Sequence, residues 1–169
     1  MTKMIEDQRI TIRKMLEGDA GKLEEILNEP EVQAFYPMCN AREVTDALRI
    51  WDFYRKFGSV YTILVDECPA GFVVLYVSSY QKLRRQALFA IIVGREFRGK
   101  GLGTKLLAHV IERAKNEFGI KLLHLEMYEK NPALSLYERF GFQHYAEHKK
   151  FLKEPNGDYK SKIMMQLKL

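Results

Sequence analysis

The sequence contains few of the residues that build metal centres and disulfide frameworks. Its 169 residues include only two cysteines and four histidines. Cys39 and Cys68 have neither the spacing of a zinc site nor that of a disulfide scaffold, and the histidines stand singly on different predicted elements. We therefore expect no metal site and two free thiols, which suits the reducing cytoplasm.

The sequence also lacks a long apolar run and a leader segment. No stretch approaches the roughly 20 apolar residues of a membrane helix, and the first residues, MTKMIEDQRI, are too polar for a signal peptide. The chain is 47% hydrophobic and 29% charged, and its 169 residues are the size of one domain. These features predict a single cytoplasmic domain over residues 1–169 with no membrane contact.

Positive charge is in excess, with a net charge of +5 and a pI near 9.1. The cations cluster at residues 82–85, 95–105 and 148–153, without the interleaved aromatic residues of a nucleic-acid-binding module. A ligand with several phosphate groups would account for the middle cluster. Nucleic acid is therefore the least favoured partner.

Hydrophobic periodicity predicts alternating strands and helices. Strands are predicted over residues 9–14, 61–65, 71–77, 88–93 and 121–128, followed by a hairpin that turns around residues 155–158. Helices are predicted from Asp19, as the N-cap, to residue 29, and over residues 41–57, 104–118 and 131–141, with a loop at residues 29–40. The apolar run 88–93 is typical of a strand covered on both faces. This order predicts an α/β fold, a mixed sheet with helices on both faces.

A glycine-rich turn joins the predicted strand 88–93 to the helix that follows. The turn, residues 98–103, has the sequence RGKGLG, in which three glycines alternate with other residues, two of them cations. Glycines permit positive φ and lack a Cβ atom, so main-chain N–H groups can converge on an anion at the helix N-terminus. A tight turn without a ligand would need one glycine rather than three. The turn therefore predicts a phosphate-binding site.

Two common phosphate-binding patterns do not fit this turn. A P-loop has serine or threonine after its lysine to hold magnesium, whereas Gly101 follows Lys100 here. The dinucleotide pattern is G-x-G-x-x-G, whereas Gly99, Gly101 and Gly103 alternate with single residues. Nucleoside triphosphatases and dinucleotide-dependent oxidoreductases are thus disfavoured.

The turn resembles the acetyl-CoA signature of the GNAT acetyltransferase superfamily, R/Q-x-x-G-x-G/A, at Arg98, Gly101 and Gly103. Residues 131–142, NPALSLYERFGF, resemble the second GNAT signature, with Asn131 one residue closer to its alanine than is usual. The pattern is most similar to ribosomal-protein and small-amine N-acetyltransferases. The resemblance implies a single N-acetyltransferase domain whose sheet is mostly antiparallel, with a central parallel pair and helices on both faces.

The resemblance also implies that acetyl-CoA is the acetyl donor. The main-chain N–H groups of the turn would hold its pyrophosphate, while the strand before the turn would pair with the pantetheine arm and polarise the thioester carbonyl. The implied donor-binding residues are Ile91, Ile92, Val93, Arg98, Gly99, Lys100, Gly101, Leu102, Gly103, Thr104 and Asn131.

Two catalytic residues are implied by the same resemblance. Tyr137 would be the general acid, because a phenol is protonated at neutral pH and is acidic enough to protonate a departing thiolate. Glu126 would be the general base that takes a proton from the acceptor. A water relay through His124 or Tyr128, which share a predicted strand face with Glu126, is the alternative base.

The implied reaction is acetyl transfer from acetyl-CoA to a primary amine by direct attack on the thioester. Protein N-termini, polyamines, aminoglycosides and other small amines are the acceptor classes that the resemblance leaves open. A cationic acceptor would suit the acidic residues Glu29, Glu31, Glu43 and Asp46. A non-catalytic CoA-binding sensor or regulatory module on the same fold is the alternative function, and a homodimer is a further expectation.

Overall fold

A seven-stranded sheet organises residues 8–169, which are the residues that the structure, a computed structural model, describes. The strands are β1 (Ile10–Lys14), β2 (Val60–Val65), β3 (Cys68–Val77), β4 (Gln86–Val93), β5 (Leu122–Tyr128), β6 (Gln143–Lys153) and β7 (Tyr159–Lys168). The helices are α1 (Ala20–Leu27), α2 (Pro30–Gln33), α3 (Ala41–Phe57), α4 (Leu102–Asn116) and α5 (Leu134–Arg139). The strand order across the sheet is β1-β2-β3-β4-β5-β7-β6.

One pair of neighbouring strands in the described sheet, β4 and β5, is parallel, and α4 forms the crossover between them. The other neighbours pair in antiparallel fashion. The predicted fold is therefore confirmed: the sheet is mixed, mostly antiparallel and flanked by helices, with a central parallel pair.

Apolar side chains form a separate core on each face of the sheet. On one face, Leu106 and Leu107 of α4 pack with Leu123 of β5, and all three are fully buried. On the other face, Ile26 of α1 packs against Phe72 of β3, also without exposure. Because strand residues alternate between faces, β2, β3 and β4 each contribute to both cores. This packing fixes the sheet where its two parallel strands separate.

The two parallel strands diverge after three residue pairs. Their ladder joins residues 86–88 of β4 to residues 122–124 of β5, whereas β4 stays paired with β3 as far as Val93. The edge of residues 89–93 that faces β5 therefore has no strand partner. Ligands of open α/β sheets bind at the carboxyl ends of the strands, so this gap is where a ligand is expected.

Several local predictions differ from the structure. Residues 30–33 of the predicted loop form α2, because Pro30 suits the first turn of a helix. The helix predicted from residue 131 begins at Leu134. Strand β4 was predicted to be covered on both faces, but Leu88 and Ala90 are only half-buried, because the gap to β5 opens beside them.

Asp19, the predicted N-cap of α1, makes no capping bond with its side chain and instead joins β1 to β2. Its carboxylate accepts bonds from both terminal nitrogens of Arg13 at 2.6 and 2.9 Å, from the Leu16 N–H at 2.9 Å and from the Thr62 hydroxyl at 2.9 Å. Burial of the carboxyl raises its pKa, but these donors outweigh burial and hold the pKa of Asp19 below its ordinary value. The folded state thus favours the charged form.

We expect Asp19→Asn to lower the free energy of unfolding by about 2 kcal/mol, since it breaks a buried ion pair whose arginine is partly solvated. Because the folded pKa is lowered, this contribution is full above the unfolded value of about 4 and disappears as pH falls through the folded value. Urea unfolding should therefore show that the free energy of unfolding of Asp19→Asn lies well below that of the wild type at pH 7. The difference between the two proteins should be smaller at pH 3.

Asp46→Asn is the matched control, since the Asp46 side chain is 56% exposed and pairs with Arg49 on the surface of α3. Asp46→Asn should change the free energy of unfolding by less than about 0.5 kcal/mol at both pH values. Equal effects of the two substitutions would contradict the role assigned to the buried carboxylate.

Candidate active site

The glycine turn places a row of unpaired main-chain donors at the start of α4. Gly99 and Gly101 have φ angles of +71° and +79°, a region that favours glycine, whereas Gly103 already lies within the helix. Within residues 8–169, the six consecutive N–H groups from Gly99 to Thr104 have no protein acceptor. Unpaired N–H groups at the N-terminus of a 15-residue helix form an anion site.

Arg98 points away from this row of donors, toward the end of β4. Its Nε donates to the Val93 carbonyl at 2.9 Å, and its guanidinium pairs with the Glu29 carboxylate. Lys100 stays beside the turn, with its Nζ 5.8 Å from the centre of the Phe97 ring. The donors that converge on an anion are therefore mainly main-chain groups, and Arg98 instead ties the turn to β4 and to the segment before α2.

The open edge of β4 offers N–H groups, because its carbonyls already have partners. The Gly94 N–H bonds to the Ala70 carbonyl, so antiparallel alternation directs the main-chain groups of Ile91 and Val93 away from β3 and into the gap. The Tyr36 hydroxyl donates to the Ile91 carbonyl at 2.8 Å, and Arg98 occupies the Val93 carbonyl. The N–H groups of Ile91 and Val93 can therefore donate hydrogen bonds to the carbonyl groups of a ligand in the gap.

A cavity of about 470 Å³ fills the gap between β4 and β5. It brings together many of the predicted site residues: Ile91, Ile92, Val93, Arg98, Glu126, Asn131 and Tyr137. The rest of its wall comes mainly from residues 31–38, α3 and the end of β3. The turn residues after Arg98 lie outside this wall, so the anion site adjoins the cavity rather than lining it.

Tyr137 presents its ring to the cavity from α5 and is 9% exposed. The ring packs edge-on against Phe89 and Phe142, with centroids 6.0 and 5.9 Å away. Its hydroxyl has no protein hydrogen-bond partner among the described residues. Burial raises the pKa of Tyr137 to about 12. The phenol therefore stays protonated at neutral pH and is free to donate.

Glu126 lies on β5 at the edge of the cavity and has an ion-pair partner that the sequence analysis missed. The Lys162 ammonium of β7 is 3.2 Å from its carboxylate, and the Glu126 side chain is 40% exposed. The same ammonium lies 3.9 Å from the centre of the Phe151 ring. The carboxylate is thus held at the edge of the cavity by a salt bridge to β7.

The two relay residues have different positions. Tyr128 lines the cavity, and burial together with the nearby Glu126 charge raises its pKa. His124 is not among the residues that line it: its Nε2 bonds to the Gln86 side-chain oxygen where β4 and β5 are still paired. Burial lowers the pKa of His124 despite the opposing charge of Glu126. A water relay from this cavity would therefore start at Tyr128.

Asn131 lines the cavity and also stabilises the start of α5. Its side-chain oxygen accepts the Ala133 N–H at 2.9 Å, a local turn of the kind that asparagine favours. Lys130 before it has a φ of +65°. The shortened spacing of the second signature is thus accommodated by a tight turn, which uses the oxygen of Asn131 and leaves its amide nitrogen available.

The acidic residues predicted to suit a cationic acceptor already have partners. The Glu29 carboxylate binds the Arg95 N–H and the Arg98 guanidinium, and Glu31 binds the Arg95 guanidinium at 2.6 Å. Glu43 accepts the Cys39 N–H near the start of α3. Asp46 pairs with Arg49 on the same helix. These contacts argue against an acidic acceptor site built from this segment.

Most of the chain matches one protein-family model, that of the acetyltransferase (GNAT) family, over residues 22–142. The chain belongs to this family. The resemblance drawn from the two signatures is thereby confirmed.

In the described part of the chain, no helix has both the length and the apolar character needed to cross a membrane. Residues 8–169 also hold no group of three or more His, Cys, Asp or Glu side chains that could bind a metal ion.

Similar curated proteins include N-acetyltransferases with different acceptors. The ribosomal protein bS18-alanine N-acetyltransferase of Haemophilus influenzae is 34% identical over 83 residues, which cover 49% of this chain and 56% of that protein. The spermine/spermidine N(1)-acetyltransferase of Bacillus subtilis is 38% identical over 56 residues, which cover 32% of this chain and 37% of that protein. The chain thus spans about half or less of these relatives' length.

Solved structures share the fold over nearly the whole chain. A putative acetyltransferase from Salmonella typhimurium, yncA, whose structure includes its cofactor acetyl-CoA, has a TM-score of 0.81 at 21% identity and covers 95% of this chain and 94% of that one. The ribosomal-protein-alanine N-acetyltransferase from Brucella melitensis has a TM-score of 0.78 at 20% identity. The match covers 94% of this chain and 99% of that one. At these identities, the likeness shows a common fold.

Proposed function

We propose that residues 1–169 form a single N-acetyltransferase domain that transfers the acetyl group of acetyl-CoA to a primary amine. The observation that carries this proposal is the row of six unpaired N–H groups, residues 99–104, at the start of α4. These donors and the helix dipole suit a pyrophosphate. Arg98, which begins the turn, also lines the cavity that contains Tyr137. A ligand anchored at the turn therefore has a direct route to the proposed acid.

The remaining proposed donor-binding residues fit an elongated ligand arm. The N–H groups of Ile91 and Val93 face the gap, where they would bond the amide and thioester oxygens of the arm as a missing strand would. Acetyl-CoA, when bound, supplies the activated thioester. Asn131, on the opposite wall, offers its amide nitrogen as a further donor.

Tyr137 and Glu126 would move the protons that the transfer requires. The acceptor ammonium loses two protons as its nitrogen bonds to the acetyl carbon, while the broken carbon–sulfur bond leaves a thiolate that gains one. Glu126 would take protons from the acceptor and pass them to solvent, since its side chain is 40% exposed. Tyr137 would give its hydroxyl proton to the sulfur and recover one from water. One proton is released overall.

A binding measurement followed by a transfer assay tests this function. Saturating acetyl-CoA should stabilise the protein by a few kcal/mol in thermal unfolding, since it binds only the folded state. The same sample should release free thiol when supplied with a panel of amines and peptides. Binding without release to any acceptor would support the sensor or regulatory function instead. An unchanged melting temperature would contradict both.

We also propose that the protein is cytoplasmic and pairs with a second copy. Cys39 and Cys68 are both free and exposed, a state that a reducing compartment preserves. Strand β6 is one of the two outer strands of the described sheet, opposite β1, and its residues are mostly exposed. An unpaired outer strand offers N–H and C=O groups to another chain, so this edge is the proposed dimer contact.

A further inference from the structure

One wall of the cavity, formed by α3, β3 and the segment after α2, is apolar and aromatic. Its residues are Phe35, Tyr36, Met38, Ile50, Trp51 and Tyr76. Trp51 is 3% exposed and Met38 7%. Burial raises the pKa of Tyr76 to about 12 and that of Tyr36 well above its ordinary value, so both phenols stay neutral. We call these six residues the apolar wall.

Four charged side chains also line the cavity, and every one of them already has a partner of opposite charge. The pairs are Glu31 with Arg95, Arg98 with Glu29, and Glu126 with Lys162, in which both members line the cavity. No carboxylate of the described lining is therefore free to hold a second ammonium group. No cation there is free to hold an acceptor carboxylate.

This arrangement discriminates between classes of amine. A polyamine or an aminoglycoside would bring additional ammonium groups against the apolar wall, and burial of an unpaired charge is costly. An apolar substituent would instead gain from burial, in proportion to the area removed from water. Resting on the proposed acetyl transfer, we propose that the acceptor is a primary monoamine whose adjoining skeleton is apolar or aromatic.

Two acceptors of equal length give the first test. We would compare n-hexylamine with 1,6-diaminohexane, which differ only in the second ammonium, and include 2-phenylethylamine, spermidine and a short peptide with an N-terminal leucine. The monoamine should have a kcat/KM at least about tenfold above that of the diamine. The phenylethylamine and peptide arms distinguish a small-molecule acceptor from a chain end with the same chemistry.

Binding provides a readout that does not depend on turnover. Trp51 is the single tryptophan of the chain and belongs to the apolar wall, so its fluorescence reports on occupancy. With CoA present, n-hexylamine should change that fluorescence at a concentration about tenfold lower than 1,6-diaminohexane does. If both amines change the Trp51 fluorescence at the same concentration, the inference is overturned.

A matched pair of substitutions tests the charge argument directly. Ile50 is 51% exposed at the rim of the apolar wall, so a glutamate carboxylate there can reach solvent and Ile50→Glu gives up only part of the buried apolar contact. This change should raise the kcat/KM of the diamine relative to the monoamine by about fivefold, the value of a partly exposed ion pair. Ile50→Gln, which has the same shape without the charge, should leave that ratio close to its original value.

The outcomes separate this inference from the function on which it rests. Transfer to spermidine or the diamine in preference to n-hexylamine would overturn the monoamine class while leaving acetyl transfer intact. Acetyl-CoA binding without transfer to any amine would contradict the enzyme itself and the acceptor class with it. Transfer to n-hexylamine together with the Ile50→Glu shift would support both.

Discussion

Tyr137→Phe should lower kcat by about 100-fold or more, because a general acid contributes at least that factor. The substitution removes one oxygen, which makes no hydrogen bond to any described residue. It keeps the ring contacts with Phe89 and Phe142. We therefore expect the melting temperature and the affinity for acetyl-CoA to stay unchanged. Steady-state kinetics and titration of acetyl-CoA on the same sample make this measurement.

Tyr128→Phe is the matched control for this substitution, since Tyr128 lines the same cavity. If Tyr137 donates the proton and Glu126 rather than a relay through Tyr128 is the base, the control should keep most of its kcat. The pH profile of the wild type should show no loss of activity from tyrosine ionisation below about pH 10. Glu126→Gln should lower the rate most at pH values well below the ordinary amine pKa of about 10, neutral pH included, where the acceptor must lose a proton before it attacks. An unchanged kcat in Tyr137→Phe would contradict the assignment of Tyr137 as the general acid.

Local pattern was sufficient for the parts of the site that lie close together in the sequence. The glycine turn and the stretch around Tyr137 each depend on neighbouring residues, and in the structure Tyr137 and Arg98 line the same cavity. Alternation along β5 also put Glu126 and Tyr128 on one face, as the structure has them. Such features follow from the periods of helix and strand, so they need no knowledge of tertiary contacts.

Contacts between distant segments could not be predicted in the same way. Lys162 reaches Glu126 because β7 lies next to β5, with Tyr128 opposite Lys162, and no local pattern gives that register. Tyr36 bonds to the Ile91 carbonyl across 55 residues of sequence. The Glu29 carboxylate was predicted to face an acceptor, but the fold brings Arg98 to it. Pairing of charges depends on the fold, whereas their presence depends on the sequence.

Gly101→Asp should weaken acetyl-CoA binding by about 100-fold, while Gly101→Asn should weaken it only about threefold. Gly101 has a φ of +79°, and a Cβ atom there would meet no heavy atom within 4 Å, so neither side chain clashes. Both residues tolerate the left-handed region better than other side chains do. Only aspartate adds a negative charge beside the pyrophosphate, and like charges several Å apart near a surface repel by about 2 kcal/mol, which is the roughly 30-fold gap between the two variants.

Isothermal titration at two salt concentrations separates the charge effect from the backbone effect. The gap between the Asp and Asn variants should shrink at high salt, because the repulsion is screened, whereas the small loss that both share should persist. Gly103→Ala is the control for glycine content alone, since its Cβ would lie 3.7 Å from a Leu136 methyl group, an ordinary contact. It should bind acetyl-CoA like the wild type. Equal affinities of the Asp and Asn variants would mean that the pyrophosphate binds away from the start of α4, because a charge at Gly101 acts only on an anion held there.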